Sequence, residues 1–398
     1  MKINVDKNTF LKSWSLAERS AGTSGSMNIF SSILLRADEN GTELQATDIK
    51  TSIVCAAQGV TVVEPGETVI PLKGVSDLFK KAGSSEFTLQ VQDGRAVMLS
   101  GKSRYRFTTY PVADFPKLPS SEGAALFCSL PAATLVSSLD RGSLCASAND
   151  EYPQYLSSVF FEMENGALNI VSTDKRRLAL SRCEVTEGSV AEPLLLPLKG
   201  LKELQRILGM LDAETAVRIS YDDAQAYFSA QGMEFAVRKV ESKFPPYAKI
   251  LPTSSRTSAH IDRADLIAAI ERVDIVVRDY NRTVIVRMAG DGECTLSGRA
   301  PEFGEAVEQL FCEAQGENVV IGVNTRYFHD AVKVLDDPVV LLGFNGQDGH
   351  MAVRAKDSDS FLCLVAPVEL SREEIDAPVS AAGDEEMPAD TESGGDVL

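Results

Sequence analysis

The chain has 398 residues, of which 44% are hydrophobic and 24% are charged. This composition is typical of globular proteins and excludes a disordered or fibrous chain, and the length suits about two to four domains. The formal net charge of −18 excludes a protein whose affinity for nucleic acid comes from a large basic patch that releases counterions.

Targeting signals are not expected. No segment approaches the ~18 consecutive apolar residues that a membrane helix needs. The first residues carry Lys2, Lys7 and Lys12 without an apolar block, so no secretory signal is predicted. We therefore expect a cytoplasmic protein.

Metal and cofactor sites are not expected either. The seven cysteines are scattered singly, without a C-x-x-C pair, which favours reduced, mostly buried thiols. His260, His329 and His350 have no neighbouring ligand at metal-binding spacing. We predict no metal and no cofactor.

The first 125 residues predict two helices and two hairpins. An apolar stripe with helical spacing runs through Thr9–Arg19. The dipeptides Asn40-Gly41 and Asp93-Gly94 tolerate the positive φ of a two-residue hairpin turn, and alternating apolar residues flank them. A second helix, Val75–Ala82, follows the segment Pro71-Leu72-Lys73-Gly74.

Residues 126–252 repeat this order. Pro197-Leu198-Lys199-Gly200 matches the first-copy segment at an offset of 126, and Thr173-Asp174 matches Thr47-Asp48 at the same offset. Phe244-Pro245 matches Phe115-Pro116 at an offset of 129. The corresponding helices are predicted at Ala133–Ser147 and Leu201–Met210, and the hairpin turns at Asn165-Gly166 and Asp222-Asp223.

A third copy follows, with helices predicted at Ala264–Val277 and Arg326–Leu335 and hairpin turns at Asp291-Gly292 and Asp348-Gly349. Gly322-Val323-Asn324-Thr325 precedes its second helix. A period this long indicates tandem domains, because solenoid repeats are ~20–50 residues long. We predict three α+β domains, over residues 1–125, 126–252 and 253–371.

Residues 372–398 differ from the rest in composition. They contain nine acidic residues and one arginine, with no apolar periodicity, so a disordered acidic tail is predicted.

Several motifs resemble those of the bacterial DNA sliding clamp family, the beta subunit of DNA polymerase III. The similarity covers residues 1–370. It is carried by Met1-Lys2-Ile3, Leu44-Gln45-Ala46-Thr47-Asp48, Ser100-Gly101-Lys102-Ser103-Arg104, Pro111–Pro116, Tyr155-Leu156, Ser172-Thr173-Asp174, Arg177–Ser181, Lys243-Phe244-Pro245 with Tyr247, Leu251-Pro252, Ile321–Asn324 and Pro367–Leu370.

The resemblance implies a fold and a function. The fold is three tandem clamp domains, and a head-to-tail homodimer closes them into a ring with strands outside and helices lining the hole. Such a ring encircles duplex DNA without sequence preference. It tethers the replicative polymerase, the clamp loader and other proteins that carry a clamp-binding linear motif.

Retention by a closed ring requires only weak contacts with phosphates, so a few basic residues on inner helices suffice. The candidates for the DNA-facing surface are Lys12, Lys73, Lys80, Lys81, Arg141, Gln154, Tyr155, Lys199, Lys202, Arg206, Arg326 and Lys333. Each basic residue among them could equally be part of a solvated helix face. Ser24 stands where the family has a basic residue.

In the family, partner peptides dock between the second and third domains, in an apolar groove with a polar rim. By matching position the groove residues are Leu156, Thr173, Lys175, Arg176, Arg177, Leu178, Pro245, Lys249, Ile250, Leu364, Val365, Pro367, Val368 and Leu370. Leu156 and Leu178 could instead be core strand residues. Lys175-Arg176 replaces a common Gly-His and Val368-Glu369 a common Met-Arg, so the preferred peptide is expected to differ.

The resemblance also implies a subunit interface with apolar residues and opposite charges on its two sides. Lys102, Arg104, Tyr105 and Phe107 of one chain would face Ile275, Val276, Glu302, Glu305 and Glu308 of the other. Tyr105 and Phe107 could equally be core strand residues.

No catalytic motif is present in the sequence: a P-loop, Gly-x-Gly-x-x-Gly, His-Glu-x-x-His and Gly-x-Ser-x-Gly are all missing. No intrinsic enzyme activity is therefore expected. Asp48 and Asp174 recur after strands, and a metal-dependent nuclease could use them, although one structural role repeated twice is the favoured interpretation. An acidic scaffold that binds only proteins is the other alternative.

Overall fold

The computed structural model describes residues 1–22, 28–289 and 292–376. Ser24, Asp291 and the predicted tail from residue 377 lie outside this range. The chain divides into two compact units: unit 1 comprises residues 1–251 and 357–364, and unit 2 comprises residues 252–356 and the chain from residue 365. No helix in the described ranges is long and apolar enough to cross a membrane.

Each of the three copies contains the two helices predicted from its sequence, and a short further helix follows the third copy. Asp6 and Asp262 cap the first helices of copies one and three by accepting hydrogen bonds from backbone N–H groups. The helices are α1 (Lys7–Glu18), α2 (Val75–Lys81), α3 (Ala132–Gly142), α4 (Leu198–Leu208), α5 (Arg263–Val277), α6 (Thr325–Lys333) and α7 (Arg372–Asp376).

The strands are mostly short and antiparallel, and neighbouring strands are joined at the predicted turns Asn40-Gly41, Asp93-Gly94, Asn165-Gly166, Asp222-Asp223 and Asp348-Gly349. They are β1 (Lys2–Asp6), β2 (Ser32–Asp38), β3 (Gly41–Thr47), β4 (Thr51–Ala56), β5 (Val60–Glu64), β6 (Gly66–Pro71), β7 (Glu86–Gln92), β8 (Arg95–Ser100), β9 (Ser103–Thr108), β10 (Ala125–Pro131), β11 (Ser158–Glu164), β12 (Ala167–Thr173), β13 (Arg177–Glu184), β14 (Glu187–Gly188), β15 (Leu194–Pro197), β16 (Ala216–Tyr221), β17 (Gln225–Ala230), β18 (Met233–Arg238), β19 (Thr257–Asp262), β20 (Thr283–Met288), β21 (Glu293–Ala300), β22 (Gly304–Gln315), β23 (Val319–Asn324), β24 (Val339–Phe344), β25 (Met351–Ala355) and β26 (Ser358–Val365).

In unit 1, the first two copies share a sheet. Its order is β14-β10-β16-β17-β18-β4-β3-β2-β6, and β18 of the second copy pairs with β4 of the first, with Phe235 opposite Ile53. The strands β5-β1-β7-β8-β9 and β15-β11-β12-β13-β26 form further sheet segments. Helices α1, α3 and α4 pack on these sheets. One continuous hydrophobic core runs from Ile3 to Val237, so the two copies bury their apolar faces together.

In unit 2, the strand order is β25-β24-β19-β22-β21-β20-β23, and α5 packs on β20, β21 and β22 with α6 beside it. β22 is long enough to pair twice. Its residues 304–311 pair with β21, and its residues 312–315 pair with β19.

Three predicted boundaries were wrong. Helix α3 ends at Gly142 rather than Ser147, because Gly142 packs directly on Ile170 and the N–H of Cys145 bonds to the Ser172 hydroxyl. The second difference is the start of α4, which was predicted at Leu201 but lies at Leu198, inside the Pro-Leu-Lys-Gly segment. In the first copy the same segment precedes α2, and Gly74 has φ +80°.

The third difference lies at residue 372, where the tail was predicted to begin. Residues 372–376 form α7 instead. Ser371 and Glu374 form a capping box, in which the Ser371 N–H donates to the Glu374 carboxylate (2.8 Å) and the Glu374 N–H donates to the Ser371 hydroxyl (3.2 Å).

Candidate functional site

Helices α1 to α4 of unit 1 form one layer, in the order α2-α1-α4-α3, and side chains on its exposed surface link each neighbouring pair. Lys80 of α2 forms an ion pair with Glu18 of α1 (3.1 Å). Arg19, which caps α1, lies 3.7 Å from Glu203 of α4. The Gln205 amide of α4 donates to Asp140 of α3 (2.8 Å).

Carboxylates offset several of the predicted DNA-facing cations. Besides Lys80, Lys199 binds Asp150 (3.0 Å) and Lys202 lies 3.8 Å from Asp140, while Arg206 pairs with Glu203. The hydrogen bond from Lys199 lowers the pKa of Asp150, and burial lowers the pKa of Lys202. The remaining predicted residues are exposed or half-buried: Lys12, Lys73, Lys81, Arg141, Gln154, Tyr155, Arg326 and Lys333. The layer therefore has a mixed charge rather than a strongly basic one.

The Thr-Asp motif of the second copy forms a tight turn between β12 and β13. The Asp174 carboxylate accepts hydrogen bonds from the N–H groups of Arg176 and Arg177, each 2.9 Å long, and from the Arg177 guanidinium (3.0 Å). The Thr173 hydroxyl donates to the Arg177 carbonyl (2.8 Å) and accepts from the Lys175 N–H (3.1 Å). Lys175 has φ +73°.

The first copy builds the same turn. Asp48 accepts from the N–H groups of Lys50 (3.0 Å) and Thr51 (2.7 Å), and the Thr47 hydroxyl donates to the Thr51 carbonyl (2.7 Å). Ile49 occupies the position of Lys175, with φ +79°.

The repeated aspartates thus act as acceptors within turns, which is the structural role favoured by the sequence. Within residues 1–22, 28–289 and 292–376, no group of three His, Cys, Asp or Glu side chains could hold a metal.

Replacing Ile49 with glycine is expected to stabilise the protein. A β-branched residue in the left-handed region costs ~1–2 kcal/mol, and the side chain is 61% exposed, so little packing is lost. We expect the free energy of unfolding to rise by ~1 kcal/mol, measured by urea denaturation. Val63→Gly is the matched control, because Val63 is 49% exposed in a strand, and it should lower the free energy of unfolding. A lower free energy of unfolding for both variants would contradict backbone strain at Ile49.

Unit 1 brings together most of the predicted groove residues near the end of β12. Leu156, Thr173 and Leu178 are nearly fully buried, as is Leu364 on β26, the strand beside β13. The Ser147 N–H donates to the Leu156 carbonyl (2.7 Å) and fixes the segment that carries Leu156. Leu156 and Leu178 are therefore also core residues, which is the alternative that the sequence left open. Lys175 and Arg176 are exposed beside them, and Arg177 is half-buried.

The other groove residues of unit 1 lie around a short 3-10 helix, Tyr247–Ile250. Ile250 is 49% exposed, Lys249 is exposed and Pro245 is half-buried. Aromatic packing supports this segment, since the Phe244 ring stacks on Phe160 with centroids 4.7 Å apart.

A polar network also holds this segment, and the sequence-based site did not include it. The Tyr247 hydroxyl donates to the Glu162 carboxylate (2.5 Å) and accepts from the Asn169 amide (3.3 Å). Burial raises the pKa of Tyr247, and the hydrogen bond to Glu162 raises it further. Tyr247 was within a motif that carried the family resemblance, but its partners on β11 and β12 are distant in sequence.

In unit 2, the predicted groove residues lie in the segment after β26, and this segment packs against β23. The Val368 N–H donates to the Gly322 carbonyl (2.7 Å). A Cβ atom at Gly322 would lie 2.7 Å from Leu370 and 2.9 Å from the Val368 carbonyl. Only a glycine therefore lets this segment lie against β23. Val368 is 36% exposed, Pro367 and Leu370 are half-buried, and Val365 is buried. The sequence did not identify Gly322 as a site residue, although Gly322 lies within the Ile321–Asn324 motif that resembles the family.

The first predicted interface strand, β9, is the edge strand of its sheet. Lys102 and Arg104 are exposed, while Tyr105 and Phe107 are half-buried and pack against the core of unit 1. The two rings thus line the inner side of an open strand edge.

The second predicted interface surface lies on β22 and α5 of unit 2. Residues 304–311 of β22 pair with β21 on one side only. Glu302 and Glu305 are exposed, whereas Glu308 forms a two-point ion pair with Arg272 (2.7 and 2.6 Å). On α5, Ile275 is 49% exposed and Val276 is half-buried.

Comparison with known families gives matches along most of the chain. Residues 1–119, 129–246 and 248–369 match the N-terminal, central and C-terminal domains of the DNA polymerase III beta subunit. All three matches are to the same family that the sequence motifs resemble.

Individual relatives are similar over their full length. A beta sliding clamp of Vibrio cholerae is 24% identical over 371 residues, and one of Pseudomonas aeruginosa is 26% identical over 372 residues; each match covers 93% of this chain and 100% of the relative. The crystal structure of a DNA polymerase sliding clamp from Bacillus subtilis is similar with a TM-score of 0.87 at 23% identity, with the same coverage.

Proposed function

The chain belongs to the DNA polymerase III beta subunit family, and from this premise we propose that it is a sliding clamp that encircles duplex DNA and tethers replication proteins. It acts as a processivity factor and catalyses no reaction itself. Three domains, over residues 1–125, 126–252 and 253–371, form each subunit of a head-to-tail homodimer.

The observation that carries the proposal is the helix layer of unit 1. Its helices lie side by side over the sheets, and acidic side chains offset several of its cations. A surface of mixed charge attracts phosphates weakly and shows no sequence preference, whereas many direct phosphate pairs would produce a strong, salt-sensitive attachment. A protein that must slide needs the weak attraction, and a closed ring supplies retention.

Two open strand edges support the ring. Arg104 lies on β9 and Lys102 just before it, whereas Glu305 lies on the unpaired edge of β22 and Glu302 just before that strand. An open edge readily pairs with another chain, and the opposite charges favour pairing of β9 with β22 of a second copy over pairing of either strand with itself.

Two exposed segments support partner binding. In unit 1, Ile250 is 49% exposed and follows the exposed Lys249 in the chain, and in unit 2, Val368 is 36% exposed. We propose that both segments contact linear motifs of the polymerase, the clamp loader and other partners, because an apolar surface with a charged rim suits a short peptide.

A test of retention on DNA examines the proposed function. The full chain is loaded onto nicked circular DNA by a bacterial clamp loader with ATP, and the DNA is then isolated by gel filtration. We expect the protein to remain on the circle and to dissociate after a restriction enzyme linearises it. Loss that is equally fast from circular and linear DNA would contradict the proposal and favour the acidic scaffold.

A further inference from the structure

Three sulfur-containing side chains lie together on one face of the sheet in unit 2. Met288 on β20 is directly opposite Cys294 on β21, and Cys294 is opposite Leu310 on β22. Cys312 lies two residues beyond Leu310 and therefore points to the same face. The Cys312 thiol is 3.6 Å from the Met288 sulfur.

This sulfur cluster, Met288, Cys294 and Cys312, is enclosed but can be reached from solvent. Met288 and Cys294 are each 1% exposed, while Cys312 is partly exposed. The Cys312 thiol also donates to the Gly292 carbonyl (3.2 Å), which holds the thiol beside Met288. A small ion would therefore enter at Cys312.

We propose that the sulfur cluster binds a soft monovalent cation of the copper(I) type. Thiol, thiolate and thioether ligands favour copper(I) over harder cations. Three sulfur atoms around a metal at ~2.3 Å each lie ~4 Å apart, close to the 3.6 Å between Cys312 and Met288. Between Cys312 and Met288, only small side-chain rotations are therefore needed.

Binding exchanges thiol protons for the metal ion. The copper(I)–sulfur bond at Cys312 replaces its S–H bond, and the proton passes to water. Cys294 likewise binds as a thiolate and releases its proton to water, while Met288 binds through a lone pair of its thioether. One copper(I) ion therefore replaces two thiol protons, and the bound site carries one net negative charge.

The sequence alone predicted no metal site because its ligands have no motif spacing. They come from three strands, and one is a methionine. The proposal is independent of the DNA-related function, because the cluster lies in the sheet of unit 2 and uses none of the residues assigned to DNA, partner peptides or the subunit interface.

Anaerobic competition for copper(I) with the coloured chelator bicinchoninate tests the site in the full chain. We expect the unmodified protein to take up one equivalent with high affinity. Met288→Leu, Cys294→Ser and Cys312→Ser should each weaken this uptake by at least ~10-fold. Met288→Leu conserves volume, and urea denaturation of each metal-free variant verifies its folding.

Cys145→Ser is the matched control, because Cys145 is a buried free cysteine of unit 1. It should leave the uptake unchanged. Unaltered affinity in Met288→Leu, or loss of the tight equivalent in Cys145→Ser, would overturn the proposal. So would a Cys294–Cys312 disulfide, detected by mass spectrometry of the protein purified anaerobically without a reductant.

Discussion

Substituting Ile275 with aspartate is expected to convert the proposed dimer into monomers. Ile275 is 49% exposed on α5, and the predicted interface would bury it. An unpaired carboxylate in an apolar interface costs ~2 kcal/mol or more. A two-subunit ring has two identical interfaces, so the dissociation constant should rise by ~1000-fold or more.

Sedimentation velocity measures this change as a mass near 42.9 kDa in place of twice that value. Met210→Asp is the matched control, because Met210 is 47% exposed just after α4 and lies outside the predicted interface. It should remain dimeric. Two variants with the same mass would contradict the assignment of Ile275, and an unmodified chain that is monomeric would contradict the ring itself.

Deleting Pro367–Leu370 is expected to abolish stimulation of the replicative polymerase while the dimer remains intact. The deletion removes the segment that pairs with Gly322 and the exposed Val368 side chain. Loss of one or two buried apolar side chains from a peptide site costs ~1.5–3 kcal/mol each, which corresponds to a loss of affinity of ~10-fold to 100-fold or more. Primer extension on singly primed circular DNA measures the stimulation.

Two further variants separate this effect from a general one. Gly322→Val keeps every residue of the segment but places a side chain where Leu370 and the Val368 carbonyl lie, so it should reduce stimulation in the same direction. Truncation after Asp376 removes only residues 377–398 and should leave stimulation unchanged. Full stimulation of the polymerase by the deletion variant would contradict the assignment of Pro367–Leu370 to the groove.

The helices and hairpins could be predicted because their determinants are local. The apolar stripe of Thr9–Arg19 corresponds to α1, and Asn165-Gly166 and Asp93-Gly94 form hairpin turns with both residues at positive φ. The end of α3 could not be predicted, because it depends on contact between Gly142 and Ile170, a strand residue distant in sequence.

The candidate site shows the same division. The sequence identified Lys80, Lys199 and Lys202 as basic helix residues, but their carboxylate partners belong to other elements.

Taken alone, the sequence determined the threefold repetition, the element order and the family, because turn dipeptides, apolar periodicity and short motifs act over a few neighbouring residues. The tertiary structure decided which charges are paired, which glycine admits the C-terminal segment and which sulfur atoms meet. These features depend on contacts between strands and helices that are far apart along the chain, and such contacts exist only once the sheets and helix layer have packed.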